Sequence, residues 1–183
     1  LIDAFKDTNK TAVILGGAEC VYRDYDLVKD TSLVHFGVND ISFQFSKAPV
    51  DHVVSLHSDM VGSLKRLNQI RYTHTCTSHG YKSDDGVDVS WYNHINNIGG
   101  TSSLFAVEIA IKLGFRRILV CGVPLDGTPH YYEDLRNIES ELYKFGRLSE
   151  AAIWKQTIDN YRESIDLDIK VASGKLKDIF GGF

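Results

Sequence analysis

The sequence predicts an α/β fold of three layers, with a mostly parallel sheet of about five or six strands and helices on both faces. Three observations carry this. Short, mainly apolar runs, the β-branched Thr11–Leu15 together with Leu33–Phe36 and Ile118–Cys121, each stop at a glycine, as buried strands entering tight turns do. The runs do not alternate cleanly between apolar and polar residues, the mark of parallel strands covered on both faces. Finally, the apolar segment Leu104–Leu113, closed by Gly114, leads through a short connection into Ile118–Cys121, the helix-to-strand step of α/β architecture. The arrangement is Rossmann-like, and 183 residues suit one domain with a substantial core.

Taken in order, the first strand ends at Gly16-Gly17, the second is followed by Val38-Asn39-Asp40, and a third runs from Val50 to Leu56, interrupted by Asp51 and His52. Ser58 is placed to cap a helix reaching about Gln69, with Val61, Leu64 and Leu67 on one side. Tyr72–Cys76 is a weaker strand candidate. The stretch 77–98 is rich in Ser, Asp, Asn, His and Gly and reads as a long surface loop holding one short element near Val87–Trp91; loops of that length are often functional. Leu104–Leu113 is apolar around most of its circumference and is expected to be heavily buried. Gly114 is a natural helix stop because it tolerates positive φ, and Arg116 and Arg117 then lie near the negative end of the helix dipole. Residues 133–183 are mainly helical by pattern. Leu135, Ile138, Leu142 and Phe145 form one series and Trp154, Ile158, Tyr161 and Ile165 another, with Gly146 expected to separate two helices. A last strand over Asp168–Ala172 and a small helix over Lys175–Phe180 complete the chain.

Composition narrows the function classes. A net charge of -4 argues against general nucleic-acid binding, which depends on neutralising phosphates. No apolar run approaches the roughly 18 residues of a membrane span. The N-terminus, Leu1 to Lys6, has no signal-peptide pattern, and its lack of an initiating methionine is the pattern of a fragment or a processed product. Cys20, Cys76 and Cys121 are odd in number and widely spaced, which fits neither a disulfide scaffold nor a Cys-rich zinc site and suits a reducing, cytoplasmic compartment. No metal site is expected. A P-loop, a GxSxG elbow and an HExxH helix are all absent.

Four segments carry chemistry. The turn Gly16-Gly17-Ala18-Glu19 can expose backbone N–H groups to an anion, although the dinucleotide fingerprint is incomplete and Glu19 would repel phosphate; otherwise it is a bare structural turn. Asn39, just past a strand end, has an amide able to donate to and accept from a base or ribose, or else forms a turn with Asp40. Gly99-Gly100-Thr101-Ser102-Ser103 opens the buried helix with small residues and hydroxyls suited to a phosphate or ribose, or serves as an ordinary cap. Gly122 to Tyr132 follows a strand end. Within it His130 is a candidate general base, and Tyr131 and Tyr132 are candidate hydroxyl donors to phosphate; the plain reading makes them a packed lid beside a surface histidine.

Together these segments resemble the Rossmann-type domain of bacterial sialyltransferases and MptE-like pterin pyrophosphokinases, over about Thr11 to Tyr132 and most strongly over Gly99 to Asp126. The resemblance implies a nucleotide bordered by Gly16 and Gly17, a nucleoside contact from Asn39, base or ribose contacts from Gly100, Thr101 and Ser102, and phosphate contacts from Tyr131 or Tyr132. The function it implies is nucleotide-dependent transfer, with a cytidine-nucleotide sugar as donor and His130 deprotonating the acceptor. Pyrophosphoryl transfer from a nucleoside triphosphate is the enzymatic alternative and would need Mg²⁺. The turn reads GGAEC where the superfamily has something closer to GNGPS, and Pro124 stands where Asp is common. These departures support a further alternative, a nucleotide-binding or structural protein without catalysis. The partner expected is a small-molecule nucleotide, and homo-oligomers are compatible with the sequence.

Overall fold

The computed structural model describes residues 9–57, 72–76, 87–91, 101–128 and 141–183, with backbone only over 141–149. Its elements are β1 (Thr11–Leu15), α1 (Val21–Tyr25), β2 (Leu33–Val38), α2 (Ile41–Gln44), β3 (His52–Val54), β4 (Tyr72–Cys76), β5 (Val89–Trp91), α3 (Ser102–Lys112), β6 (Arg117–Cys121), α4 (Glu141–Arg162), β7 (Asp168–Val171) and α5 (Gly174–Phe180). The strands form one sheet in the order β5-β4-β3-β2-β1-β6-β7, and every neighbouring pair is parallel.

Strand alternation explains the layers. Ala12 and Ile14 of β1 face one core, with Phe36, Val54 and Val120, under the residues of α3, α4 and α5. Val13 and Leu15 face the other, with Val53, Leu119 and Cys121, under Val21 of α1 and Ile41 of α2. Both faces of the central strands are apolar because both are covered. This is the Rossmann-like three-layer fold expected.

Helix α3 is the most deeply placed helix among the described residues: every residue from Leu104 to Ile111 is buried. Thr101 caps its start by accepting a hydrogen bond from the Leu104 N–H at 3.2 Å. Its end is a Schellman motif, in which the Phe115 N–H reaches the Ala110 carbonyl and the Gly114 N–H the Ile111 carbonyl, both at 3.0 Å. Gly114 takes φ 100°. Arg116 donates to the Ile111 carbonyl at 3.2 Å, a cation on the negative end of the dipole. Arg117 instead turns to Asp30 at 3.3 Å and Asp168 at 3.7 Å.

Three expectations need correction or bounding. Among the described residues the sheet has seven strands, against about five or six expected, because β5 lies inside the stretch read mainly as loop. Gly146 does not separate two helices: α4 runs unbroken from Glu141 to Arg162, since one glycine costs a helix only about 1 kcal/mol and neighbouring turns absorb that. The helix expected over Ser58–Gln69 and most of 77–98 lie outside the described residues.

Strand β4 looked weak because its sequence is polar, yet Thr73, His74 and Thr75 are fully buried. Polar pairing makes this tolerable. Thr73 donates its hydroxyl to Asp88 at 2.8 Å. Trp91 Nε1 donates to His74 Nδ1 at 3.2 Å, and His74 Nε2 meets His52 Nδ1 at 2.9 Å. Indole is donor only, so the His74 proton sits on Nε2 and is donated to His52. Burial, followed by the neighbouring His52, pushes the His74 pKa down to about 3.

Glu108 is a second buried titratable group, at the middle of α3. Its Oε1 has no hydrogen-bond partner. Burial raises its pKa to about 7, against the opposing pull of Lys112 and of the nearby Tyr161 hydroxyl. All three cysteines are buried and none forms a disulfide. Among the described residues there is no group of metal-ligating side chains and no helix long and apolar enough to cross a membrane.

Candidate functional site

The sheet order reverses direction between β1 and β6: β2 to β5 extend to one side, β6 and β7 to the other. The connections leaving neighbouring strands must therefore part there, opening a crevice at the carboxyl ends of the strands. A cavity of about 210 Å³ occupies it. Its lining comes from the turn after β1 (Gly17, Ala18), the end of β2 and start of α2 (Val38 to Ile41), the start of α3 (Thr101 to Ser103) and the segment after β6 (Gly122 to Leu125, Gly127, Thr128).

Each wall has a local cause. Asn39 adopts φ 54°, a left-handed conformation that asparagine tolerates better than most side chains. Its N–H is tied to the Val54 carbonyl at 3.0 Å and its carbonyl takes the Ser42 N–H at 3.1 Å. The side-chain Oδ1 is buried without a hydrogen-bond partner, a state that costs on the order of 1–3 kcal/mol unless something completes it. Ser102 accepts the Leu56 N–H at 3.2 Å, which joins the helix start to the end of β3 and leaves its own O–H available to donate. Thr101 spends its oxygen on the cap. Thr101, Ser102 and Ser103 bring the N-terminal, positive end of α3 to the cavity.

The opposite wall rests on two glycines. A Cβ on Gly16 would collide with Val123 and the Gly122 carbonyl, and one on Gly122 would lie 2.6 Å from the Gly16 carbonyl. The Gly16 N–H bonds the Cys121 carbonyl at 2.8 Å and the Ala18 N–H the Gly122 carbonyl at 3.1 Å. Beyond Gly122 the chain turns sharply. Leu125, a buried residue, sits at φ 51°, and Asp126 Oδ1 accepts from both the N–H and the hydroxyl of Thr128, at 3.0 and 2.6 Å. A branched residue held at positive φ is backbone strain of a kind that clusters at functional sites.

Of the residues singled out in the sequence, Gly17, Asn39, Thr101 and Ser102 line this one cavity. Gly16 does not; it is buried against Gly122 and Val123. Gly100, His130, Tyr131 and Tyr132 lie outside the described residues. Gly122, Val123, Pro124 and Leu125 also line the cavity, although the sequence points only to the later part of their segment. The usable signal was the glycine directly after a strand, followed by a proline.

Comparison of the whole fold with solved structures gives high coverage on both sides. The α-2,3-sialyltransferase Cst-I from Campylobacter jejuni superposes with a TM-score of 0.60 over 97% of this chain and 82% of its own, at 15% identity. CstII from Campylobacter jejuni, in complex with the substrate analogue CMP-3FNeuAc, gives 0.62 over 95% and 85%, at 14% identity. CstII with a trisaccharide acceptor and CMP gives 0.61 over 94% and 86%, at 13% identity. The fold is sialyltransferase-like. No family model matches the sequence, and no curated protein sequence does. At these identities the sialyltransferase-like fold is established by shape, with the chain covering most of each comparison structure.

Proposed function

We propose that the crevice binds a cytidine nucleotide and that the chain is a sialyltransferase-like transferase using a cytidine-nucleotide sugar as donor. The observation that carries this is the convergence of Gly17, Asn39, Thr101 and Ser102 on one cavity at the sheet reversal, with Asn39 Oδ1 left unsatisfied. The exocyclic amine of cytosine is a donor of the kind that oxygen lacks. The positive end of α3 suits one phosphate group. Asp40, which also lines the cavity, disfavours the added charge of a triphosphate. Two of the similar structures are complexes with the CMP-sugar analogue CMP-3FNeuAc and with CMP, which supports the choice of base.

Calorimetry with CMP, CDP, AMP and ATP, each with and without Mg²⁺, tests the reading. CMP is expected to bind without Mg²⁺, and Asn39→Ala to weaken it by roughly 5- to 100-fold, the cost of one lost hydrogen bond to a buried partner. Binding of none of the four, or an Asn39→Ala variant with unchanged CMP affinity, sinks it. Preference for ATP with Mg²⁺ would move the chain to pyrophosphoryl transfer.

In the same reading His130, two residues beyond Thr128, is the base that deprotonates the acceptor, and Tyr131 and Tyr132 steady the phosphate. His130→Ala is then expected to lower turnover of a CMP-sugar donor by about 10²–10⁴-fold with CMP affinity nearly unchanged. A variant with wild-type turnover removes His130 from the mechanism. Wild-type protein that binds CMP but turns over no donor would be a binding module.

A further inference from the structure

The cavity wall that follows β6 is held from behind by a polar chain crossing three parts of the sequence. Asp24 of α1 is 1% exposed and does not line the cavity. Its Oδ2 accepts the Gly122 N–H at 3.0 Å and the Ser173 hydroxyl at 2.7 Å. Ser173 stands in the turn between β7 and α5. Its single proton goes to Asp24, so the contact with Cys20 Sγ at 3.6 Å is the thiol donating to Ser173 Oγ. The thiol keeps its proton for this, since burial above all pushes its pKa up to about 11. The next residue, Gly174, lies against Pro124, so closely that a Cβ there would be 2.5 Å from the Pro124 Cα. Pro124 is itself part of the cavity lining.

Gly122 is thus fixed at both ends of its residue: the carbonyl by the Ala18 N–H, the N–H by Asp24. Without the carboxylate, a buried N–H in a turn at φ 70° would lose its acceptor, and burial makes such a loss costly. The turn would then relax by rotating its peptide, which would move Gly122, Val123 and Pro124, part of the cavity lining.

We propose that Asp24 and Ser173 are positioning residues for the cavity, through which the β7–α5 turn sets the Gly122–Leu125 wall and with it the affinity for nucleotide. The word nucleotide rests on the reading given above; the coupling between the turn and the wall does not. Ser173 is the residue to change, because deleting one hydroxyl from a helix N-cap leaves the fold standing.

The experiment compares Ser173→Ala, Ser173→Thr and Ile158→Val, a core variant on α4 that serves as a control for lost stability. Amide shifts of Gly122, Val123 and Leu125 and calorimetric CMP affinity are read well below the melting point. Ser173→Ala is expected to shift all three amides and weaken CMP roughly fivefold to tenfold. Ser173→Thr, which keeps the hydroxyl on an extended backbone, is expected to restore both, and Ile158→Val to leave both unchanged. Unmoved amides in Ser173→Ala overturn the proposal. So does unchanged CMP affinity with moved amides, or an equal loss of affinity in Ile158→Val. If wild-type protein binds no CMP, the nucleotide reading falls; shifted amides in Ser173→Ala then uphold the coupling, and unshifted ones end it.

Discussion

Gly122→Ala is expected to lower stability by about 3 kcal/mol, a drop in Tm of roughly 6–12 °C for a chain of this size. Two costs combine. Holding alanine at φ 70° costs about 1–2 kcal/mol. The new methyl would also lie 2.6 Å from the Gly16 carbonyl and 2.7 Å from Val21 Cβ, in a core that can yield only by separating β6 from the β1 turn, at a further 1–3 kcal/mol or so. Gly127→Ala separates the two contributions. Gly127 also has positive φ, 93°, but a Cβ there would meet nothing within 4 Å, so about 1 kcal/mol is expected. Thermal melts of the two variants settle the point. Equal losses would show that the close approach of the two glycine turns contributes nothing.

The second large effect is in the pH dependence of folding, where His74 and Glu108 oppose one another. The folded pKa of His74 is held near 3, below its ordinary 6.5. The unfolded chain therefore binds more protons between those values, and stability from this group is lost as pH falls through that range. The folded pKa of Glu108 is near 7, above its ordinary 4.5. Here the folded state binds more protons, and stability is lost as pH rises from about 4.5 to 7. Each group changes stability by up to about 1.4 kcal/mol per pH unit within its own window. Between about pH 4.5 and 6.5 the two slopes cancel, and the wild-type protein is expected to show a nearly flat profile. Glu108→Gln keeps the shape of the neutral acid and cannot ionise. Its stability is expected to climb with pH to about 6.5 and then level, ending about 3 kcal/mol above wild type at pH 8. Urea midpoints at pH 4.5, 5.5, 6.5 and 8 check this. A Glu108→Gln profile parallel to wild type would mean that burial does not raise the Glu108 pKa in the folded protein.

The same two residues show where sequence reading stops. Strands β1, β2 and β6 were legible because fully buried parallel strands are apolar on both faces, and α3 because eight consecutive buried positions need apolar side chains nearly all round, Glu108 excepted. Strand β4 was faint because its burial is made tolerable by pairing across the sheet: Trp91 and His52 lie far from His74 in sequence and no local pattern announces that they meet. Gly146 misled because helix continuity depends on packing as well as propensity. At the cavity, Gly17, Asn39, Thr101 and Ser102 were legible through one rule, that small or polar residues at strand ends and helix starts face the crevice. Gly16 follows the same local rule, yet its close approach to Gly122 is a tertiary fact. Asp24 and Ser173 carried no local mark at all, being joined across nearly 150 residues.

The placement of β1 in the interior of the sheet, between β2 and β6, has a consequence for the newborn chain. Its partners on one side are made early, Leu33 pairing with Thr11, but on the other side Thr11 waits for Arg117, about a hundred residues later. At a synthesis rate of roughly 5–20 residues per second, one edge of an apolar strand stands open for on the order of ten seconds. An open edge of this kind is a template for pairing with any neighbouring chain. Nascent chains that stop short of Arg117 are therefore expected to carry an aggregation hazard at β1 that the completed sheet lacks.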